Sequence, residues 1–417
     1  MKINKKILLF CSLINVCFAQ EVGLDDLLDG MMQNNQTLKS YNFQVLSKEQ
    51  ELESQKRSFF PTLDIGATYI NSNPANMISP KETKSIYGVA SLDIYDGGKK
   101  SSLVRSKSFD YKASLYEKDA FSKNMMLDII QRYFLIQKLQ SNLLVLQMKS
   151  SELGYQIKRA KSFVKAGLMT QDDIDKFQAS YDENDFNIEN TLFSIDEQKE
   201  YIQRETGIDF EALRTSSLIE PDLNVSMDDF EKTKILDARS KSIKEIGNSV
   251  GSVITPQIKI QDTYTKYYYD DDVLAASSGI LLEKKNILSV NATWRIFDGG
   301  HISKQKEAYA LQSLALQEQK LGSIKEQKSS FELAKKRLNT IKAQIKSSTS
   351  ALRSADSTYE IVTQKYEAGL VDNVAYLDAL NAKSAAMSRY KSSLYDYEIA
   401  KSLLYYFAGK NPKEFIR

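Results

Sequence analysis

The stretch "IYDGGKKSS" at 94–102 returns in altered form 202 residues later, as "IFDGGHISK" at 296–304. Both copies have an apolar residue and an aromatic residue, then Asp-Gly-Gly and a polar run. Two further glycine pairs have the same offset. Gly167 in "KAGLMTQDD" matches Gly369 in "EAGLVDNVA", and Gly207 matches Gly409. Three matches in one register, with no net insertion, predict a tandem duplication with halves at 20–215 and 216–417.

Residues 1–19 have the composition of a secretory signal peptide. A basic start is followed by a short apolar run, and Ala19 ends a small-residue cleavage pattern. A lipid anchor at Cys17 is the alternative, which the residues before it, Ile-Asn-Val, disfavour. Beyond this leader no apolar run reaches 18 residues, so the sequence predicts no transmembrane helix.

Composition argues against several functional classes. Both cysteines lie in the leader and His301 is the single histidine, so no His/Cys metal site and no cofactor are predicted. Lys+Arg is 56 and Asp+Glu is 54, and removing the three leader lysines changes the formal charge from +2 to −1. This balance gives no electrostatic case for nucleic acid. The sequence contains no nucleophile–base set or phosphate loop, so an enzyme is not predicted.

Long segments without proline fill much of each half. In the first half apolar residues recur every seven positions, as at Ile129, Ile136 and Leu143, and the same spacing starts at Ile324 in the second. This heptad spacing indicates helices that supercoil on neighbours. At 1.5 Å per residue each long helix would be about 100 Å long. The predicted elements are long helices at 97–163 and 299–366, tips at 164–171 and 367–373, and shorter helices at 172–205 and 374–408.

Upstream of each Asp-Gly-Gly the apolar period changes to 2, which is typical of strands. "TLDIGATYI" at 62–70 places Leu63 and Ile65 on one face, and "VNATWRI" at 290–296 does the same with Val290 and Trp294. Each half is expected to open with a helix, at 21–57 and 227–250. The predicted strands lie at about 61–71, 85–96, 256–267 and 287–297.

Four strands with one apolar face do not form a stable sheet while both edges stay open. Strands of about ten residues, when tilted, span a bilayer, and lipid forbids open edges. We therefore expect strands from several copies to close into one barrel. The repeated phrase marks the turn from strand to long helix, where Asp caps the helix and the glycines allow the bend. Its residues are Asp96, Gly97, Gly98, Asp298, Gly299 and Gly300.

In these features the chain resembles the TolC family of outer-membrane efflux and secretion ducts. The resemblance covers about 22–409 and rests on the two Asp-Gly-Gly junctions, the two Ala-Gly-Leu tips and the repeat. It implies a homotrimer with a 12-stranded β-barrel in the outer membrane, joined to a long periplasmic α-helical barrel. It also implies a periplasmic adaptor and an inner-membrane transporter as partners, with the chain as the exit duct of an efflux pump or type I secretion system.

The resemblance further implies a closure at the helical tips. Asp378 and Tyr366 match an acidic-ring position and a latch tyrosine of the family, and Asp173 matches their partner on the first tip. The family's other ring aspartate and latch arginine fall on Ala375 and Val371, so the closure is expected to differ. The gate and lumen candidates are Asp172, Asp173, Tyr366, Asp372 and Asp378, and the adaptor-docking candidates are Gly167, Leu168, Gly369 and Leu370.

Simpler interpretations and other classes stay open from the sequence. Asp172 and Asp173 follow a tip and are suited to helix capping, and the two tip leucines are suited to local packing. A secreted coiled-coil scaffold or adhesin stalk explains the heptads but not the strands. A periplasmic adaptor would have one hairpin and no tandem repeat.

Overall fold

The computed structural model of the chain describes residues 21–76, 78–222, 226–270 and 279–417. The predicted signal peptide and Cys17 lie outside the described residues. The chain divides into two compact units. One takes in the chain up to Lys39 with Phe121–Asp228 and Lys328–Arg417, and the other takes in Ser40–Ala120 with Asp229–Gln327. Each unit therefore draws on both repeat halves, and the repeat boundary near 215 is not a boundary between units.

Two long helices dominate the secondary structure, and each has 67 residues. Neither contains proline, and both begin directly after a Gly-Gly pair, so the duplication is preserved in their length and start. None of the helices among the described residues is apolar enough over a sufficient length to cross a membrane. The helices are α1 Leu24–Asn34, α2 Gln36–Arg57, α3 Lys99–Lys165, α4 Gln171–Thr206, α5 Glu231–Gly251, α6 His301–Glu367 and α7 Asn373–Phe407.

The opening segment differs from the single helical region predicted at 21–57. It begins with a two-residue strand, β1 (Glu21–Val22), which pairs in parallel with β4 (Ala212–Leu213), so the expectation of four strands missed this pair. The helix then breaks at Asn35. The Asn35 side chain accepts a hydrogen bond from the Leu38 backbone N–H at 2.8 Å and donates to the Glu205 carboxylate at 2.8 Å. A side chain that caps the next helix in this way favours a break.

The second unit contains a four-stranded antiparallel sheet with the strand order β2-β3-β5-β6. The central pair, β3 with β5, joins the two repeats. Among the described residues the outer edges of β2 and β6 have no partner strand. The strands are β2 Thr62–Asn71, β3 Glu82–Tyr95, β5 Gln257–Tyr268 and β6 Lys284–Thr293.

The last strand ends earlier than predicted. The alternation at 287–297 continues through Trp294 and Ile296, but β6 ends at Thr293. Its neighbour β5 begins at Gln257, and Gln257 is the residue paired with Thr293. Backbone beyond that point has no ladder to join, so an alternating pattern alone overestimates the strand.

Each unit has its own packing. In the first, α1, α3 and α4 bury a hydrophobic cluster that includes Leu28, Tyr133, Phe134 and Ile202 with no exposed surface. In the second, α5 packs through small polar side chains. The hydroxyl oxygens of Ser106 and Ser242 lie 2.9 Å apart, as do those of Ser240 and Ser313. Buried hydroxyls that are hydrogen-bonded to one another avoid the penalty of an unpaired polar group.

Candidate functional site

The two Asp-Gly-Gly junctions have the same local geometry. The Asp96 carboxylate accepts hydrogen bonds from the backbone N–H groups of Gly98 and Lys100, at 3.0 and 2.7 Å. Asp298 does the same with Gly300 and Ile302, at 2.9 Å each. All four glycines have positive φ, from 68° to 84°. The left-handed backbone turns the chain from strand to helix, and the aspartate satisfies an orphan amide of the first turn.

The sheet has one apolar and one polar face. Because side chains alternate along a strand and paired residues share a face, the register sorts them unambiguously. The apolar face is highly exposed within the chain, with Leu63 at 74% and Ile65 at 80%. Its members include Leu63, Ile65, Tyr69, Ile86, Ile260, Tyr264, Leu288 and Val290, and the opposite face carries Asp64, Thr68, Ser91, Gln261, Thr263, Thr265, Ser289 and Asn291.

An exposed and continuous apolar face of this kind marks a surface that contacts lipid or a partner. Asp262 is an exception on the apolar face, between Ala90 and Leu288 in the register. One of its carboxylate oxygens is buried and has no hydrogen-bond partner among the described residues.

The first tip, in the other unit, ends α3 with a left-handed glycine. Gly167 has φ of 73°, and the Leu168 backbone N–H reaches back to the Phe163 carbonyl at 2.9 Å. This closes the open carbonyls of the last turn. Leu168 is left 72% exposed.

The second tip repeats that geometry. Gly369 also has φ of 73°, the Leu370 N–H reaches the Lys365 carbonyl at 2.8 Å, and Leu370 is 74% exposed. Asp372 is the N-cap of α7, since its carboxylate accepts from the Ala375 N–H at 2.9 Å. Asp378, one turn further along α7, is exposed.

The acidic residues of the first tip have local partners. Asp173 accepts from both the backbone N–H and the hydroxyl of Thr170, at 2.9 and 2.8 Å. Asp172 forms an ion pair of 2.6 Å with Lys176. Charges of Asp172, Asp173 and Asp372 all act on Lys176 and, with the hydrogen bond to Asp172 as the largest cause, raise its pKa. The charge of Asp372, from the second tip, therefore acts on a lysine of the first tip.

Tyr366 lies against a set of buried side chains that we call the tip cluster, and the charge of Asp173 acts on its hydroxyl. Its ring stacks on Tyr376 with centroids 4.8 Å apart and meets Phe177 edge-on at 6.4 Å. The Arg159 guanidinium lies 5.3 Å from the same ring. Burial raises the pKa of the Tyr366 hydroxyl. The tip cluster consists of Leu153, Ile157, Ala160, Ile174, Phe177, Tyr376 and Leu380.

A polar network inside the tip cluster was not predicted from the sequence. The Tyr376 hydroxyl donates to the Glu152 carboxylate and accepts from the Gln156 side chain at 3.2 Å. The Tyr359 hydroxyl lies 3.1 Å from it. Burial, followed by the hydrogen bond to Glu152, raises the pKa of Tyr376. The network joins α3 of the first repeat to α6 and α7 of the second.

The two repeats differ at the position of Tyr376, and the repeat offset is the one feature of the sequence that shows this difference. Moving 202 residues back from Tyr376 gives Ile174, an apolar side chain that has no hydroxyl to donate. The substitution of a tyrosine for an isoleucine in a buried heptad position is visible in the sequence. The identity of its partners is not, because Glu152 and Gln156 are more than 200 residues away.

The two tip aspartates give a matched prediction. Replacing Asp173 by alanine should destabilise the start of α4 by about 1 kcal/mol, because a capping box is lost. Replacing Asp172, whose exposed ion pair contributes little, should cost under about 0.5 kcal/mol. Hydrogen exchange at the amides of 171–175 measures both variants. Equal loosening would contradict the capping role.

The cap also predicts a pH dependence. The hydrogen bonds from the Thr170 backbone and hydroxyl lower the pKa of Asp173 below its ordinary value of 3.8. Because the folded-state pKa is the lower one, the stabilisation is fully present above about pH 4 and is lost as the pH falls through the folded-state value. Protection factors at 171–175, which correct for the pH dependence of intrinsic exchange, should therefore fall on acidification below about pH 4 in the native chain and stay unchanged in Asp173→Ala.

Comparisons with known proteins show what the sequence and the fold are similar to. Residues 27–203 match the family model described as outer membrane efflux protein. Curated proteins give no significant match. Solved structures match nearly the whole chain. VceC of Vibrio cholerae is 14% identical with a TM-score of 0.79, covering 93% of this chain and 96% of VceC.

Two other channels match similarly. The CmeC outer membrane channel of Campylobacter jejuni is 14% identical with a TM-score of 0.80, over 94% of this chain and 86% of CmeC. The open state of the Neisseria gonorrhoeae MtrE channel is 13% identical with a TM-score of 0.74, over 93% of this chain and 89% of MtrE.

The four-stranded sheet, the two junctions and the paired helical tips define a chain with the fold of outer membrane channels. Within residues 27–203 the chain also matches the outer membrane efflux protein family. The resemblance to TolC-like ducts is thereby confirmed.

Proposed function

We propose that this chain is the exit duct of a tripartite efflux pump or type I secretion system, and that it works as a homotrimer in the outer membrane. The observation that carries the proposal is the sheet. One of its faces is apolar and exposed, and neither of its edges is paired within the described parts of the chain. In lipid each unpaired backbone group costs several kcal/mol. Pairing β6 of one copy with β2 of the next satisfies both edges, and three copies of four strands give a closed 12-stranded barrel.

The two faces then have separate roles. The apolar face turns towards lipid, and the polar face lines a water-filled lumen. The Asp-Gly-Gly junctions lie at the end of the sheet from which the long helices start, so this end faces the periplasm.

The tips are the proposed contact with a periplasmic adaptor, through which an inner-membrane transporter delivers cargo. Leu168 and Leu370 are each about three-quarters exposed beside a left-handed glycine. Exposed apolar side chains held on two such turns form a surface suited to contact with another protein.

Asp378 is the proposed lumen carboxylate, because it is exposed and does not cap its helix. Three copies would form an acidic ring, which favours cations. Asp378→Ala should lower the cation-to-anion permeability ratio severalfold in planar bilayers. Asp185→Ala, an exposed aspartate far along α4, is the control. Unchanged selectivity in Asp378→Ala would place this side chain away from the lumen.

Disulfide crosslinking tests the trimeric barrel directly. Because both natural cysteines lie at positions 11 and 17, within the predicted leader, engineered cysteines would be the only thiols in the mature chain. One cysteine is placed on β2, at Leu63 or Ile65, and one on β6, at Leu288 or Val290. We expect at least one of these combinations to give crosslinked dimers and trimers on oxidation. A cysteine at Ile86, on the inner strand β3, combined with one on β6 should give no crosslinked oligomers. If every variant with one cysteine on β2 and one on β6 gave only monomers, the proposed barrel would be rejected.

Conductance tests the duct. The purified protein should form large, weakly selective pores in planar bilayers, because the lumen is wide and polar. An electrically silent preparation would favour a coiled-coil stalk.

A further inference from the structure

Three lysines lie together on the apolar face, at the end of the sheet far from the helices. Lys266 on β5 is directly opposite Lys284 on β6. On the other side of β5, Lys266 pairs with Ile86, so Lys84 is its diagonal neighbour on β3. Directly opposed side chains have Cβ atoms about 5 Å apart, and diagonal ones about 7–8 Å. We call Lys84, Lys266 and Lys284 the basic cluster.

In the strand register no carboxylate lies between the three lysines of the basic cluster. All three side chains are exposed, and none forms an ion pair within the described parts of the chain. The nearest carboxylate along β3 is Glu82, two residues beyond Lys84. Like charges directly opposite each other across a sheet destabilise it. The arrangement is therefore most stable when an anion lies between the ammonium groups.

The surroundings indicate what kind of anion this is. Tyr69 and Tyr268 flank the basic cluster, and the Lys266 ammonium lies 5.1 Å from the centre of the Tyr268 ring. Immediately below on the same face is exposed apolar surface, with Ile86 at 50% and Leu288 at 68%. A cationic and aromatic band directly above an apolar wall matches a molecule with a phosphate head and acyl chains.

We propose that the basic cluster binds the phosphorylated headgroup of a lipid in the outer leaflet, with the acyl chains against the apolar face below. This inference rests on the proposed function, because it needs the apolar face in lipid and the helices on the periplasmic side. The headgroup would neutralise one lysine on each of the neighbouring strands β3, β5 and β6. It would thereby hold the outer ends of these three strands together.

The test uses the trimer in phosphatidylcholine nanodiscs that also contain diphosphorylated lipid A, or lipid A from which the phosphates have been removed. Native mass spectrometry counts the lipid A molecules that the protein retains. The native trimer should retain the phosphorylated form and release the dephosphorylated form. Lys266→Gln with Lys284→Gln should reduce retention roughly tenfold, as expected for the loss of two cationic contacts near a membrane surface.

Lys285→Gln is the matched control, because Lys285 is the next residue of β6 and lies on the opposite face. It should retain lipid as the native chain does. The charge-preserving Lys266→Arg with Lys284→Arg should restore retention, which separates loss of binding from misfolding. Equal loss in Lys285→Gln, or no loss in the double glutamine variant, would overturn the proposal. Displacement by millimolar inorganic phosphate would also overturn it, in favour of a free-phosphate site.

Conductance of the same samples separates this inference from the proposed function. A native trimer that conducts but retains no phosphorylated lipid refutes the proposed lipid site and leaves the proposed duct intact. A native protein that neither inserts nor conducts refutes both.

Discussion

Replacing Tyr376 by alanine is expected to destabilise the tip cluster by about 3–5 kcal/mol. The side chain has no exposed surface and packs against Tyr366 and Phe177, with ring centroids 4.8 and 6.2 Å away. Removing a buried aromatic ring loses its transfer free energy and leaves a cavity that rigid helices close poorly. Hydrogen exchange at the amides of 372–380 should accelerate by orders of magnitude.

Tyr376→Phe isolates the polar network from the packing. It keeps the ring and removes only the hydroxyl, which donates to Glu152 and accepts from Gln156. A hydrogen bond to a charged group contributes about 1.5–3 kcal/mol, so the loss should be within that range. Tyr155→Phe, at a tyrosine of α3 that is 59% exposed, should stay within about 0.5 kcal/mol.

A double-mutant cycle with Glu152→Gln then tests whether the two groups act together. Residues in one hydrogen-bond network couple by about 0.5–3 kcal/mol. Additive effects, or a Tyr376→Phe variant as stable as Tyr155→Phe, would show that the network does not tie α3 to α7.

The helices and the sheet could be anticipated because local periodicity determines them. Heptads identify α3 and α6, and alternation identifies β2 and β3, without knowledge of the rest of the chain. The break at Asn35 could not be seen, because it depends partly on Glu205, about 170 residues away. The end of β6 at Thr293 likewise depends on where its neighbour β5 begins.

At the tips the sequence identified the turns but not what the side chains do there. Glycine at 167 and 369 predicts a left-handed residue for steric reasons alone. Aspartate after a tip is compatible with a cap, an ion pair or a lumen ring, and the structure gives Asp173 and Asp372 capping contacts. The Tyr376 network needs tertiary contacts between the two repeats, which no single-repeat pattern contains.

The two junctions provide the second large prediction, because they share a backbone and differ in surroundings. Gly97 and Gly299 both have φ of 68°. A Cβ atom on Gly97 would lie 1.7 Å from the Thr255 hydroxyl oxygen and 2.7 Å from the Ser252 carbonyl oxygen. A Cβ atom on Gly299 would meet no atom of the described residues within 4 Å. The same substitution therefore separates backbone strain from steric overlap.

Gly299→Ala should destabilise the chain by about 1–2 kcal/mol, the penalty for an L-residue in the left-handed region. Gly97→Ala should cost this and several kcal/mol more. The Ser252 carbonyl belongs to the backbone of the short turn Ser252–Ile254, and the Thr255 hydroxyl donates to it at 2.6 Å. Neither atom can therefore move away without breaking that contact.

Trp294 reports on this junction, since it is the single tryptophan and its indole N–H donates to the Ile254 carbonyl at 3.0 Å. Urea unfolding followed by its fluorescence should give a clearly lower midpoint for Gly97→Ala than for Gly299→Ala. Adding Thr255→Ala to Gly97→Ala removes the closest atom and should recover part of the lost stability. The rest should stay lost, because the overlap with the Ser252 carbonyl oxygen remains. Equal midpoints would mean that the turn at 252–255 yields freely, and that the first junction is no tighter than the second.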